Sequence, residues 1–176
     1  MRITRIILPP DLIPAKQQAA EAVADRMSGL VRRHLRARND SSPANRYGLP
    51  KTDYYADAAE SVTTDVSGGL ASVIIDKEGV ALHYEGGTVY PKKKALALPI
   101  DPAVAGIWPS EYGRDHKLFK TPAGALGDAD TGKILYILIQ KATIPADPTV
   151  LPPEESLYNA AMDAVGDLMD AVGAAS

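Results

Sequence analysis

Apolar positions recur at helical spacing near both ends of this chain and at strand spacing in its middle. The run "ITRIIL" at 3–8 predicts a short strand, stopped by Pro9-Pro10. From Pro14 the period lengthens. Ala19, Val23, Met27, Leu30, Val31 and Leu35 fall on one face of a helix running from about 14 to about 38. Pro14 suits the first helical turn, where its missing N–H would have no partner anyway. The basic end, "RRHLRAR", complements the negative pole of the helix. A turn-rich loop, "NDSSPANRYGLPK" at 39–51, leads to "TDYYADAAESV", a short helix whose first turn Thr52 or Asp53 can cap. Tyr54 and Tyr55 are expected to be half-buried anchors.

Between about 70 and 144 the pattern is that of strands. "ASVIID" and "GVALHY" flank "DKEG", with glycine where a hairpin needs a positive φ. "TVY" and "ALALPI" predict two more strands across the "PKKK" segment. Residues 101–132 are rich in Pro, Gly and Asp and predict a long excursion that contains one short strand, "KLFK". "KILYILIQKATI" at 133–144 reads as one nearly continuous strand, central and covered on both faces. The rigid connector "PADPTVLPPEE" leads to a last helix from about 153 to 173. Glu154 and Glu155 in its first turn suit the helix dipole. Its apolar stripe is Leu157, Ala161, Ala164, Val165, Leu168, Met169 and Val172. This order predicts an α+β fold in a single domain, 1–176. A mostly antiparallel β-sheet would carry the long N-terminal helix and the C-terminal helix packed on it.

Composition narrows the chemistry. The chain has no cysteine, which removes disulfides, thiol catalysis and cysteine-based zinc sites together. His34, His83 and His116 are far apart and lack metal-ligand spacing, so neither metal nor cofactor is expected. No apolar run approaches the roughly 18 residues of a membrane span. The N-terminus is too short and too broken by proline for a signal peptide, which predicts a cytosolic protein. The net charge of −3 conceals an asymmetry. Seven bases and one acid, Asp40, lie between Arg26 and Lys51, whereas six acids and no base follow Lys141. Such polarity can bind nucleic acid, or set identical subunits head to tail with the basic part of one against the acidic part of the next.

The densest candidate chemistry is "ALHYEGGTVYPKKKALALPI" at 81–100. On a strand His83 and Glu85 would share one face. They could act as a general acid/base couple, the basis of a hydrolase reading, but a third partner is not identifiable. A polar pair at a strand end is favoured. Gly86 and Gly87 followed by Lys92, Lys93 and Lys94 do not make a phosphate loop, because the Walker spacing and the following helix are missing. The segment reads instead as a hairpin-like unit: a strand ends at Tyr84, the glycines turn the chain, and the lysines mark a projecting tip. Arg32, Arg33 and Arg36 at the helix end could face DNA phosphates, yet a basic last turn is common for dipole reasons alone.

This layout resembles the phage virion morphogenesis proteins, the small neck and tail-completion proteins of tailed phages and prophages. The match follows the family's order: a long basic-ended helix, "NRYGLPKTDYYADAAESV", the His83-x-x-Gly86-Gly87-Thr88-x-x-Pro91-Lys92 core, "GALGD", "KILYILIQKATIPADPTVLP" and a C-terminal helix. It spans about 26–170 and is strongest in 81–100 and 133–152. The resemblance implies a non-enzymatic structural protein of the head–tail junction or tail-completion step. It would be assembled in the bacterial host cytoplasm and kept in the virion. Implied partners are its own copies in a ring around the DNA channel, a hexamer being favoured, and neighbouring neck or tail proteins. His83, Glu85, Gly86, Gly87, Pro91 and Lys92–Lys94 would be a fold and interaction signature, with nonspecific lysine contact to DNA in the lumen. The segment 101–132 departs from the family pattern. The alternative is a nucleic-acid-binding module using 26–51 and Lys92–Lys94.

Overall fold

A computed structural model describes residues 6–7, 15–42 and 47–174. The expected stop at Pro9-Pro10, the Pro14 start and part of the 39–51 loop lie outside these residues. The fold is α+β, with two long helices and antiparallel strands throughout. The chain divides into two compact units: 1–41, 53–85 and 146–176 form the first, and 42–52 with 86–145 the second.

The first unit is organised by helix α1, Ala15–Ser41, which runs three residues beyond the expected end. Ala19, Val23, Met27, Val31 and Leu35 of the expected stripe are all buried. They pack on strands β2, Val62–Ser67, and β3, Leu70–Ile75, in a sheet whose order is β1-β3-β2, β1 being Ile6–Ile7. β2 was not expected. Its hairpin with β3 turns at Gly68-Gly69, both in the left-handed region (φ 59° and 72°), as a two-residue hairpin requires. Helix α2, Tyr54–Glu60, therefore ends short of Val62, and buries Ala58 and Ala59. The C-terminal helix α5, Glu154–Ala174, packs along α1 and adds Leu157, Ala161 and Ala164 to the same core. Of the rest of its expected stripe, Val165 packs against this core and Leu168 is half-buried, whereas Met169 and Val172 diverge, 62% and 55% exposed.

The expected strand "GVALHY" is a helix, α3, Val80–Glu85. Gly79, at φ 91°, starts it, and the His83 amide donates to the Gly79 carbonyl at 2.9 Å. Tertiary contacts override the β-branched and aromatic propensity here. Val80 is buried, and the Tyr54 hydroxyl donates to the Glu78 carbonyl at 2.9 Å, fixing the approach to the helix. "DKEG" is thus a β-to-α connection and not a hairpin turn.

The second unit holds two sheets. Strands β4, Gly87–Val89, and β9, Ala142–Ile144, form a two-stranded ribbon. Strands β5, Leu96–Pro99; β6, Leu118–Lys120; β7, Ala125–Asp128; and β8, Ile134–Ile139, form a sheet of order β5-β8-β7-β6. The expected strand 133–144 is two strands in two different sheets, but β8 is interior, and Leu135 and Tyr136, on alternate faces, are both buried. Its small core comprises Val104, Leu135 and Tyr136, with the Tyr136 hydroxyl donating to the Ile107 carbonyl at 3.0 Å. The 101–132 excursion is more ordered than expected. It holds a 3-10 turn at Pro102–Val104, helix α4, Pro109–Asp115, and the β6–β7 hairpin. At Gly127 a Cβ would meet the Phe119 ring at 2.6 Å, so the aromatic ring covers the glycine of its cross-strand partner.

Candidate interaction surfaces

The structure separates the residues of 81–100. His83 and Glu85 sit on α3 in the first unit, and two residues apart on a helix they do not face each other. The His83 ring lies 5.2 Å from that of Tyr54 and 6.0 Å from that of Tyr55, while Glu85 is exposed. Shared-face acid/base chemistry by this pair therefore loses its geometric premise. The His83 carbonyl accepts from the Asp147 amide at 3.0 Å, which ties α3 to the 3-10 turn Pro148–Val150. Tyr54 and Tyr55 are half-buried against the core, as expected.

Gly86 has φ 74° and follows the last residue of α3, so it terminates a helix and not a strand. β4 begins at Gly87 and pairs with β9, whereas β5 pairs with β8. The hairpin-like unit across the lysines is thus absent. Pro91 leads instead into a bend at Lys92, Lys93 and Lys94, all exposed, which carries the chain from one sheet to the other.

The three arginines near the end of α1 are differently occupied. The Arg32 guanidinium donates to the Val62 carbonyl at 2.7 Å and to the Ser28 hydroxyl at 3.3 Å, holding the start of β2 against the helix. Arg36 pairs with Glu60 at 2.7 Å, an exposed bridge worth ~0–1 kcal/mol. Arg33 is exposed.

Much of the sequence polarity is satisfied inside the first unit. Arg26 pairs with Asp167 of α5, and Arg38 with Asp147, so the basic helix binds the acidic C-terminal segment in the same chain. The Asp147 carboxylate also accepts the Thr149 hydroxyl at 2.6 Å. That bond, with Arg38, holds its carboxyl below the usual range, while burial acts in the opposite sense. Arg38 also lies over the Tyr55 ring at 5.0 Å, and His34 Nε2 is 2.9 Å from the Thr149 carbonyl. Sequence reasoning missed this cluster. Its one local signal was the Asp147-Pro148-Thr149 turn, in which the Asp147 carboxylate accepts the Thr149 amide at 3.0 Å.

A second unanticipated cluster lies in the second unit. Asp128 is 1% exposed. Its carboxylate accepts the Tyr112 hydroxyl at 2.7 Å and the Asp130 and Thr131 amides at 2.8 Å each. The Tyr112 bond, then the amides, lowers the Asp128 carboxyl to about 2, and the same bond raises the Tyr112 phenol to about 12. His116 stacks on Tyr112 at 4.3 Å between ring centroids. The arrangement braces the β7–β8 turn against α4. Among the described residues no three His, Asp or Glu side chains converge as metal ligands, and no helix is long and apolar enough to cross a membrane.

Charge is partitioned between the units. The second has ten Lys and Arg against five Asp and Glu, and the first has nine against seventeen. In the second unit Lys92, Lys93, Lys94, Arg114, Lys117, Lys120, Lys133 and Lys141 are exposed and form no salt bridge among the described residues. The surplus of unpaired positive charge among the described residues therefore belongs to the second unit and not to the α1 arginines. Compared with models of protein families, with curated proteins and with solved structures, the chain matches none.

Proposed function

We propose that this chain is a non-enzymatic structural protein of a tailed phage or prophage, acting at the head–tail junction or in tail completion as a homo-oligomeric ring around the DNA channel. The observation that carries this reading is the segment His83-x-x-Gly86-Gly87-Thr88-x-x-Pro91-Lys92, which resembles the core motif of phage virion morphogenesis proteins. Its residues serve architecture here. His83 packs on two tyrosines, Gly86 ends a helix, Gly87 opens a strand, and Lys92–Lys94 stand in solvent. That is what an assembly part needs: a rigid frame presenting a charged loop. Size-exclusion chromatography with light scattering tests the ring. A multimer, alone or with co-expressed neck and tail proteins of the same phage, is expected. A chain monomeric both alone and with those partners would sink the proposal.

A second reading, a nucleic-acid-binding module, draws on the exposed Lys92–Lys94. Since Arg32 and Arg36 already bond within the chain, it predicts that Lys92→Ala/Lys93→Ala/Lys94→Ala lowers retention on heparin at low salt more than Arg32→Ala/Arg33→Ala/Arg36→Ala does. No retention of the intact chain at low salt ends it.

A further inference from the structure

Helix α5 carries two apolar stripes. Leu157, Ala161 and Ala164 face the core. Beside them Tyr158, Met162 and Met169 are 60%, 52% and 62% exposed, and with half-buried Val165 they follow a 4-3-4 spacing. That is the spacing of a seam between two helices or between a helix and another surface. Val165 also packs against the core, but exposed positions on a surface helix are normally polar, so Tyr158, Met162 and Met169 are not accounted for by the core. Gly166 and Gly173 give a second, independent indication. A Cβ at either meets nothing within 4 Å, so no neighbour among the described residues requires a glycine there. Gly166, in the helix interior, nevertheless weakens the helix by about 1 kcal/mol relative to alanine. Small residues beside an apolar seam allow another backbone to approach closely.

Charge decides what can occupy this face. α5 contains Glu154, Glu155, Asp163, Asp167 and Asp170 and no basic residue. Asp167 is engaged by Arg26, whereas Glu155, Asp163 and Asp170 are exposed. A second α5 laid on the first would bring acid to acid, which is repulsive. The occupant must be basic. The chain itself has such a body: its second unit, where Lys92, Lys93 and Lys94 form no ion pair among the described residues and Tyr90 and Trp108 are 67% and 70% exposed. Exposed Tyr and Trp are residue types enriched at protein interfaces, whereas lysine is depleted there and would contribute at the polar rim.

We infer that the outer face of α5 is a docking surface for the basic second unit of another copy of this chain, an inference that rests on the ring-forming reading above. The contact joins two different surfaces, so it repeats from copy to copy and closes into a ring where the rotation permits. The stripe is only ~17 Å long at 1.5 Å per residue, and it covers a fraction of the roughly 800 Å² per partner of a standard interface. Charge attraction must supply much of the remainder, and the association is therefore salt-sensitive.

Sedimentation velocity of the intact chain over a concentration series, at about 50 mM and about 500 mM salt, tests it. Association at low salt that is lost at high salt is expected. Met162→Glu/Met169→Glu and Lys92→Glu/Lys93→Glu/Lys94→Glu should each abolish it. Both sets are exposed, so circular dichroism and the melting temperature should stay as in the parent chain. The charge-reversed pair Asp163→Lys/Asp170→Lys should lose self-association and recover it when mixed with the Lys→Glu triple variant. Association that survives the lysine variant overturns the inference in favour of α5-to-α5 pairing. Association that survives both variants places the contact elsewhere and leaves the ring reading intact. A chain monomeric at all concentrations, with the lysines needed only for binding duplex DNA, also overturns it. The ring reading itself then stands or falls on the experiment with the phage partners.

Discussion

Asn39 shows how far a single side chain can reach in this fold. It sits in the last turn of α1, 6% exposed, and its amide oxygen accepts the Ala56 amide of α2 at 3.3 Å. Its amide nitrogen donates to Asp53 at 3.3 Å. Asp53 occupies the N-cap position of α2, but its carboxylate caps no N–H. A residue seventeen positions earlier thus performs the capping that local sequence assigns to Thr52 or Asp53. Asn39→Ala should therefore destabilise the chain by about 1–2 kcal/mol, and Asp53→Ala by clearly less. Urea unfolding of the two variants tests this, and equal losses would reject the assignment. Asp128 makes a pH-dependent prediction. Its folded carboxyl is depressed to about 2 from 3.8. The stability it confers is complete above 3.8 and is lost as pH falls toward 2. Tyr112 is raised from 10.0 to about 12, so its share is present below 10 and lost as pH rises through 12. Both windows reflect one bond, and Tyr112→Phe should reduce both. Denaturant midpoints against pH measure it; unaltered acid and alkaline limbs in Tyr112→Phe would contradict it.

At the scale of elements, legibility follows how much of an element's fate is local. The stripe on α1 is long enough for its period to stand alone, and every residue of it except half-buried Leu30 is buried. The Gly68-Gly69 hairpin was equally local, yet "VTTDVS" buries only Val62 fully and so shows little of a strand's alternation. α3 was not legible, because six residues of "VALHYE" suit a strand as well as a helix. Packing of Val80 and the turn at Gly79 decide it. The split of 133–144 between β8 and β9 is likewise set by their partners β5 and β4, which lie far away in sequence. The clusters around Asp147 and Asp128 were invisible for the same reason: Arg38 and Tyr112 reach them across the fold. Two glycines give opposite predictions. Gly86→Ala forces a side chain into φ 74° and should cost about 1–2 kcal/mol. Gly166→Ala meets no neighbour and should raise stability by about 1 kcal/mol. Thermal melts of both variants check the signs, and destabilisation by Gly166→Ala would reveal an unrecognised constraint in α5.

For the whole molecule, the structure redraws the charge map read from the sequence. The basic end of α1 is largely consumed by Asp167, Glu60, Asp147 and the Val62 carbonyl. What remains unpaired among the described residues is acidic on α5 and basic on the second unit, so the proposed attraction between copies and the alternative attraction to DNA would both draw on the same lysines. The proposed place of this protein in a virion is tested most directly by deleting its gene from the source genome and imaging, by electron microscopy, the tailed particles that the proposal expects that genome to produce. The account predicts filled heads and tails that fail to join, or tails that fail to complete, with recovery when the gene is supplied in trans. Normal yields of fully tailed, infectious particles from the deletion would contradict it.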